Sequence, residues 1–234
     1  MFEPLKAAVF QANLELVRRG LVIDTWGNVS GIDRPSGCVV IKPSGLPYDR
    51  MGPEHMVPVS LATGQVMEGD LRPSSDTPTH LELYRAFEAV GGVVHTHSLY
   101  ATAWAQARRA IPPLGTTHAD YFNGPVPCTR PLTDGEVRGD YEANTGRVIV
   151  ERFAGLDPMQ LPGVLVAGHG PFAWSATPAQ AVNVAAVLEH LAHLASQTLR
   201  VDPYPRPIAP ALLDRHFSRK HGPDRYYGQD HPGR

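Results

Sequence analysis

Apolar residues recur along the chain with two different periods, and together these periods predict a mixed α/β protein. In the first twenty residues they lie about 3.6 residues apart and the pattern stops at Gly20, which predicts an amphipathic first helix. A second helical pattern covers residues 177–200 and is apolar on most sides, so we expect a buried helix there. Short β-branched runs bounded by turn residues, such as residues 39–41, predict strands between the two helices.

Turn residues indicate where other elements begin and end. Thr77 followed by Pro78 is a typical helix start, which places Asp76 directly before a helix N-terminus. The segment VPVSLATGQVMEG predicts a hairpin that turns at residues 63–64, and GVLVAGHGPFAWS predicts a buried strand that ends in a histidine between glycines. A proline-rich link then leads to a polar tail that has too few apolar residues to form a core of its own.

Length and composition favour one soluble domain. The chain has 234 residues and is 42% hydrophobic, so we interpret residues 1–230 as one domain and residues 231–234 as a disordered extension. A formal net charge of -2 provides no basic field for nucleic acid, and no stretch approaches the ~18 apolar residues of a membrane span. The first helix does not have the character of a signal peptide, so we expect a cytoplasmic protein whose two cysteines are reduced.

The segment GGVVHTHSLYATAWA places two histidines at the end of a predicted buried strand. Residues two apart on a strand share a face, so His95 and His97 are expected to point the same way. Ser98 is placed to cap a following helix, which puts both histidines at a strand-to-helix turn. This spacing leaves two interpretations open. The histidines either bond to nearby backbone groups or belong to a metal site, since histidine is the commonest metal ligand.

Further metal donors occur at similar positions elsewhere in the chain. Asp76 precedes a helix and His169 ends a strand, and Gly168 and Gly170 would let backbone or substrate approach that histidine closely. A catalytic metal site needs donors from different segments and one open position. The candidate ligands are Asp76, His95, His97 and His169.

Three turns are rich in the residues that bind oxyanions. The runs GNVSG, KPSG and PSSD supply backbone N–H groups, hydroxyls and a cation, which are the groups that hold phosphate. The candidate cradle consists of Gly27, Asn28, Lys42, Ser44, Gly45, Ser74 and Ser75. The chain has neither a G-x-G-x-x-G dinucleotide fingerprint after a strand nor a Walker phosphate loop. We therefore expect a small phosphorylated ligand and not a nucleotide cofactor.

Longer motifs resemble a known family. The runs WGNVSG, IKPSG, RPSSDTPTH, VHTHSLYAT and GHGPFAW are similar to those of the class II aldolase family, metal-dependent enzymes that act on phosphorylated sugars. The stretches GTTHADYFNGPVPCTRPLT, GDYEANTGRVIVERF and HFSRKHGPDRYYGQ resemble the L-ribulose-5-phosphate 4-epimerases within it. The resemblance implies a single-domain, three-layer α/β fold, with a central, mostly antiparallel sheet flanked by helices. It also implies a cyclic homotetramer with active sites between subunits.

The resemblance also implies roles for individual residues. The metal, zinc with manganese as the alternative, would be bound by Asp76, His95, His97 and His169. Sugar and phosphate contacts would come from Gly27, Asn28, Ser44, Gly45, Ser74 and Ser75. Asp120 and Tyr227 would transfer protons. The family's aldolases carry Glu as their catalytic acid/base where this chain has Asp76. That difference favours an epimerase, because the shorter acid can stay on the metal.

The expected reaction inverts carbon 4 of a 2-ketopentose 5-phosphate. The C4–H bond is not acidic and the nicotinamide fingerprint is missing, so we expect retro-aldol cleavage of C3–C4 and re-addition to the other aldehyde face, with a metal ion stabilising the enediolate. A lysine Schiff base is the alternative route, but Lys42, the one lysine among the substrate turns, suits a phosphate better. A class II aldolase and a non-catalytic, metal-stabilised sugar-phosphate binding protein also remain open.

Overall fold

A computed structural model of the protein describes residues 2–222 and 225–226. The strands are β1 (Asn28–Asp33), β2 (Cys38–Ile41), β3 (Val57–Ser60), β4 (Gly92–His95), β5 (Gly163–Leu165) and β6 (Pro171–Ser175). The helices are α1 (Glu3–Arg18), α2 (Thr77–Ala86), α3 (Leu99–Gln106), α4 (Thr116–Ala119), α5 (Asp134–Arg138), α6 (Tyr141–Arg152), α7 (Pro178–Val201) and α8 (Pro210–His221). Single 3₁₀ turns lie at Tyr48–Arg50 and Pro53–His55.

The six strands form one sheet in the order β3-β2-β1-β4-β6-β5, and every neighbouring pair is antiparallel. One of its two central strands, β4, is buried along its whole length. In the register, Asn28 lies opposite His95, and His95 lies opposite Phe172. The predicted α/β fold with a central antiparallel sheet flanked by helices is confirmed. The register also brings a cradle residue beside a candidate metal ligand.

Alternate residues of β1 face two helical layers. Gly31 faces α1 and α7, since a Cβ there would lie within 2.8 Å of Pro178 Cγ. Ser30 faces α2, where its hydroxyl lies 2.7 Å from His80 Nδ1 and 2.8 Å from Tyr84 Oη. On the same side as α2, Trp174 of β6 packs against the aromatic ring of Phe153, which directly follows α6. The sheet is therefore the middle of three layers, and the chemistry-bearing side chains lie on its α2 side.

The long buried helix is present where the sequence predicts it. Thr177 Oγ1 accepts a hydrogen bond from the backbone N–H of Gln180, and Pro178 occupies the first helical position. The predicted hairpin near residues 63–64 is present as a turn with positive φ at Gly64, although its second arm pairs only through the single bridge between Val59 and Val66. None of the described helices combines the length and apolar character that crossing a bilayer requires. Both cysteines are free.

Two predicted segments have a different structure. GVLVAGHGPFAWS is not one strand but the hairpin β5–β6, because Gly168 with φ 77° makes a turn in which Val166 N–H donates to Gly170 O. His169 therefore lies in the hairpin turn. The polar tail forms α8, a helix that has no buried residue, as expected for a segment too polar for its own core. The proposed extension 231–234 lies outside the described residues.

Candidate functional site

Three histidines from two distant segments converge at one end of the sheet. His95 ends β4, His97 follows two residues later, and His169 lies in the β5–β6 turn. Each contributes a ring nitrogen, and these nitrogens all lie within 4.8 Å of one another. The Nε2 atoms of His95 and His97 are 3.1 Å apart. Among the described residues, this is the group whose arrangement fits a metal ion.

The His95 ring is held by its neighbours on β6. It stacks on Phe172 with the ring centres 4.2 Å apart, and its Nδ1 lies 3.0 Å from the carbonyl oxygen of Pro171. An Nδ1–H that donates to this carbonyl leaves the Nε2 lone pair for a cation. His95 and His97 point the same way, as predicted, although β4 ends at His95 and His97 lies in the segment that follows the strand.

The helix after this turn is capped from across the fold. The backbone N–H groups of Tyr100 and Ala101, in the first turn of α3, donate to the two carboxylate oxygens of Glu189, each at 2.8 Å. Ser98 occupies the N-cap position, but its side chain makes no capping hydrogen bond. The predicted Ser98 cap is therefore wrong, because Glu189 on α7 already satisfies both donors. This contact fixes the start of α3 just beyond His97.

Burial keeps all three histidines neutral at pH 7. It lowers the pKa of His95 and of His97, and it lowers the pKa of His169 to about 4, assisted by the two neighbouring histidines. Neutral imidazoles are the form that binds metal, and three nitrogen donors with an open position are typical of catalytic zinc sites. The residues present therefore fit a divalent metal such as zinc.

Asp76, the fourth candidate ligand, lies beside this group but is not a member of it. Its Oδ2 accepts a hydrogen bond of 2.7 Å from Asn28 Nδ2, and the same amide lies 3.1 Å from Ser74 Oγ. Burial opposes its charge, but His95, His80 and the Asn28 amide together hold the pKa of the Asp76 carboxyl below its usual value. The carboxylate is therefore ionised and directed toward the amide.

A cleft of about 490 Å³ opens next to the histidines. Its lining includes every residue of the predicted cradle and three of the four candidate ligands: Gly27, Asn28, Lys42, Ser44, Gly45, Ser74, Ser75, Asp76, His95 and His97. Two of the cradle segments run side by side, since Ser44 N–H donates to Arg72 O and Ser74 N–H donates to Lys42 O, both at 2.9 Å. The backbone thus brings the three predicted turns to one cavity.

Lys42 places a cation in the wall of this cleft. The residue is only 2% exposed, its Nζ lies 4.9 Å from the centre of the Tyr48 ring, and burial lowers its pKa. Gly27 passes so close to β4 that a Cβ would lie 3.0 Å from His95 O, and its φ of 102° favours glycine. Tyr48 Oη donates to Gly27 O at 2.8 Å, which ties this turn to the cation.

Of the two predicted proton-transfer residues, Asp120 is among the described residues. Asp120 follows α4, and its carboxylate binds α8 of the same chain through Arg219, His216 and Lys220 at 2.9, 3.0 and 3.3 Å. Burial opposes the charge of Asp120, but its bonds to Arg219, His216 and Lys220 hold the pKa of the carboxyl below its usual value. In the described part of the chain, no hydrogen bond or ion pair joins Asp120 to the three histidines. Tyr227 lies outside the described residues.

Tyr141 is a residue near the site that the sequence pattern did not indicate. Its phenol oxygen lies 3.3 Å from His169 Nδ1, and burial raises its pKa. The residue begins α6, whose sequence carries no motif of metal or phosphate binding. The contact between Tyr141 and His169 could not be predicted from the sequence of α6, because it depends on how α6 packs against the β5–β6 turn.

Comparisons with known proteins identify the family and the fold of the chain. Residues 7–196 match the family model described as Class II Aldolase and Adducin N-terminal domain. YgbL from Klebsiella pneumoniae, a candidate aldolase/epimerase/decarboxylase, is 26% identical, with 92% of this chain and 99% of that chain covered and a TM-score of 0.70.

Two aldolases of known structure share the fold. An L-fuculose 1-phosphate aldolase is 23% identical over 91% of this chain and 94% of that chain, with a TM-score of 0.77. The L-fuculose-1-phosphate aldolase from Thermus thermophilus is 24% identical over 87% of this chain and 100% of that chain, with a TM-score of 0.65. At these identities the two structures establish a common architecture and nothing finer.

Proposed function

Because the chain belongs to the class II aldolase and adducin N-terminal domain family, we propose that it is a divalent-metal-dependent enzyme acting on a sugar phosphate, and specifically an L-ribulose-5-phosphate 4-epimerase. The observation that carries this proposal is the cleft itself. Neutral histidines lie at one end, and its remaining walls are a lysine and hydroxyl- and glycine-rich turns. A ligand with a chelating sugar end and a phosphate end fits both halves.

The histidines would hold the metal. His95, His97 and His169 supply nitrogen donors, a set that zinc prefers and that manganese also accepts. When bound, the divalent cation supplies Lewis-acid stabilisation of negative charge on substrate oxygens. Pro171 O fixes the His95 ring, so the protein orients at least this donor before the ion arrives.

The cradle would bind the phosphate. Lys42 contributes a cation that is already desolvated, and Ser44, Ser74 and Ser75 contribute hydroxyls along the same wall. The backbone bonds between the two serine-bearing segments hold these groups in place without substrate. The phosphate would therefore stay anchored while bonds change at the other end of the sugar.

The chemical step is a retro-aldol cleavage followed by re-addition. A base removes the proton from the C4 hydroxyl, the C3–C4 bond breaks, and its electron pair leaves an enediolate of dihydroxyacetone beside glycolaldehyde phosphate. The aldehyde turns, C3 attacks its other face, and an acid returns a proton to the new C4 oxygen. Two proton-transfer groups are needed, one on each side of the aldehyde, and we assign them to Asp120 and Tyr227.

The two groups of one site would come from different subunits of a homotetramer, with Tyr227 supplied by a neighbouring chain. Asp120 is engaged with α8 of its own chain, and its described contacts do not reach the histidines of that chain. Although α8 is amphipathic, it has no buried residue within its own chain. Both observations support a site that is completed across an interface.

A class II sugar-phosphate aldolase is the second candidate, and one observation favours it. The Asp76 carboxylate is held by Asn28 and is not part of the three-histidine group. Asp76 is therefore available for proton transfer and need not act as a metal ligand. The glutamate that the family's aldolases carry at this position has the same role. Such an enzyme would release its two fragments and would not recombine them on the other face.

The deciding experiment is a coupled assay for D-xylulose 5-phosphate from L-ribulose 5-phosphate, with and without a chelator. We expect turnover that disappears with chelator and returns with zinc or manganese. Slow formation of ketopentose 5-phosphates from dihydroxyacetone and glycolaldehyde phosphate should accompany it. Release of free aldehyde without xylulose 5-phosphate would identify an aldolase, and metal binding without either reaction would identify a binding protein. A borohydride-trapped adduct on Lys42 would overturn the metal-dependent route.

A further inference from the structure

The phenol of Tyr141 lies next to the proposed metal centre, and the proposed reaction gives it no role. Its oxygen lies 3.3 Å from His169 Nδ1, and the two rings are 6.1 Å apart between centres. A histidine has two ring nitrogens, so a partner at Nδ1 leaves Nε2 for a cation. His95 follows the same arrangement, with Nδ1 beside Pro171 O and Nε2 3.1 Å from His97 Nε2.

The position of Tyr141 is fixed by one hydrogen bond within α6 and one from the neighbouring helix α2. Thr145 Oγ1 donates to Tyr141 O at 2.9 Å, and Thr79 Oγ1 donates to the backbone oxygen of Glu142 at 2.6 Å, which ties the start of α6 to the first turn of α2. The two helices approach so closely that a Cβ on Gly146 would lie 2.6 Å from Glu82 Cβ. The phenol is therefore presented by a rigid helix start and not by a mobile loop.

We propose that Tyr141 is a positioning residue for His169: its phenol oxygen accepts a hydrogen bond from His169 Nδ1–H, and this bond directs Nε2 toward His95 and His97. This inference rests on the proposed metal centre. His169 needs such a partner more than His95 does, because it lies in a glycine-flanked turn and not in a central strand. Outer partners of metal-bound histidines select the tautomer and the ring orientation, and their loss weakens metal affinity by about 10- to 100-fold.

The test is the zinc affinity of the full-length Tyr141→Phe protein, measured by competition with a chromogenic chelator in the absence of substrate. We expect the dissociation constant to rise about 10- to 100-fold relative to wild type, and the release of zinc to be faster. The matched control is Tyr204→Phe, which removes the same oxygen from a residue that is 89% exposed and should leave zinc affinity unchanged.

Two further measurements separate positioning from general stability. The urea midpoint of the metal-free Tyr141→Phe protein should equal that of wild type, and its cobalt-substituted form should show an altered visible spectrum because the His169 ring is no longer fixed. Wild-type zinc affinity in Tyr141→Phe would overturn the assignment, as would a loss of affinity matched by a loss of metal-free stability. If wild type itself bound no zinc, the proposed metal centre would fail first, so the two failures are distinguishable.

Discussion

Removing the Glu189 carboxylate tests how the fold holds the histidine turn. Glu189 on α7 accepts hydrogen bonds from Tyr100 N–H and Ala101 N–H, both 2.8 Å long, and thereby caps α3. Glu189→Ala leaves these two donors without their partner in a partly buried position. An unsatisfied donor costs about 1–3 kcal/mol, and the loss of an N-cap costs about 0.5–2 kcal/mol. Because water reaches part of this region, we expect a total loss of roughly 2–4 kcal/mol.

The same substitution should weaken metal binding. α3 begins at Leu99, two residues after His97, so a loosened first turn lets the His97 ring move away from its partners. If roughly 1.4 kcal/mol of the loss falls on this turn, zinc affinity decreases by about tenfold. Glu189→Gln keeps one carbonyl acceptor without the charge, and we expect it to lose about half as much stability as Glu189→Ala.

Urea unfolding of the metal-free and zinc-bound proteins provides the measurement. The control is Glu54→Ala, which removes a carboxylate whose side chain is 70% exposed and should change stability by less than about 0.5 kcal/mol. If Glu189→Ala were as stable as this control, the capping role would be refuted. If it were less stable but bound zinc as tightly as wild type, the coupling between the cap and His97 would be refuted.

Three other predictions concern pH, phosphate and the assembled site. Burial lowers the pKa of His80 to about 3 from 6.5. Between these pH values the histidine is protonated in the unfolded chain and neutral in the folded chain, so the free energy of unfolding should fall as the pH decreases below about 6.5. His80→Asn should flatten that fall in urea titrations of the metal-free protein, by at most about 1.4 kcal/mol per pH unit. Lys42→Met should raise KM for the phosphorylated substrate by about 10- to 100-fold, as expected for the loss of a charge-assisted hydrogen bond, and leave zinc affinity unchanged. Asp120→Asn and Tyr227→Phe should each lower turnover by roughly 10²- to 10⁴-fold, and mixing the two inactive proteins under subunit exchange should restore activity; no recovery despite proven hybrids would refute a shared site.

Local sequence rules predicted the features that depend on nearby residues. The start of α7 follows from Thr177 and Pro178, whose cap and ring satisfy the helix end without distant partners. The same rules placed a cap at Ser98 and were wrong there, since the cap comes from Glu189, 89 residues from Tyr100 along the chain. A propensity for capping cannot show that a stronger acceptor will arrive from another helix.

The sequence motifs predicted residues that line the cleft, but they did not predict the contacts around it. The turns that we expect to bind an oxyanion could be grouped because each contains the same residue types, and the sheet register brings Asn28 opposite His95. The approach of Tyr141 to His169 could not be predicted, because it depends on the packing of α6 against α2 and on a hairpin turn that the apolar pattern made look like one strand. The hydrogen bond that Asp76 accepts from Asn28 could not be predicted from the sequence pattern either, because it depends on the geometry of the two side chains.

The proposed reaction needs a substrate whose phosphate stays bound while the aldehyde carbon rotates. The two ends of the cleft suit these two requirements. The segments of the proposed phosphate cradle are joined by backbone hydrogen bonds, and the histidine end of the cleft is anchored on β4 and β6 of the same sheet. In the proposed reaction, glycolaldehyde phosphate would stay bound in the cleft through its phosphate after C3–C4 cleavage. Its aldehyde group would then rotate about the carbon–carbon bond of the fragment without dissociating. Asp120, in contrast, is held by ion pairs to α8, outside the sheet. The proposed binding groups therefore lie on the sheet and its turns, and the proposed proton-transfer residue Asp120 lies on a separate helical part of the fold. That arrangement explains why loss of Asp120 should remove turnover while the binding of metal and phosphate persists.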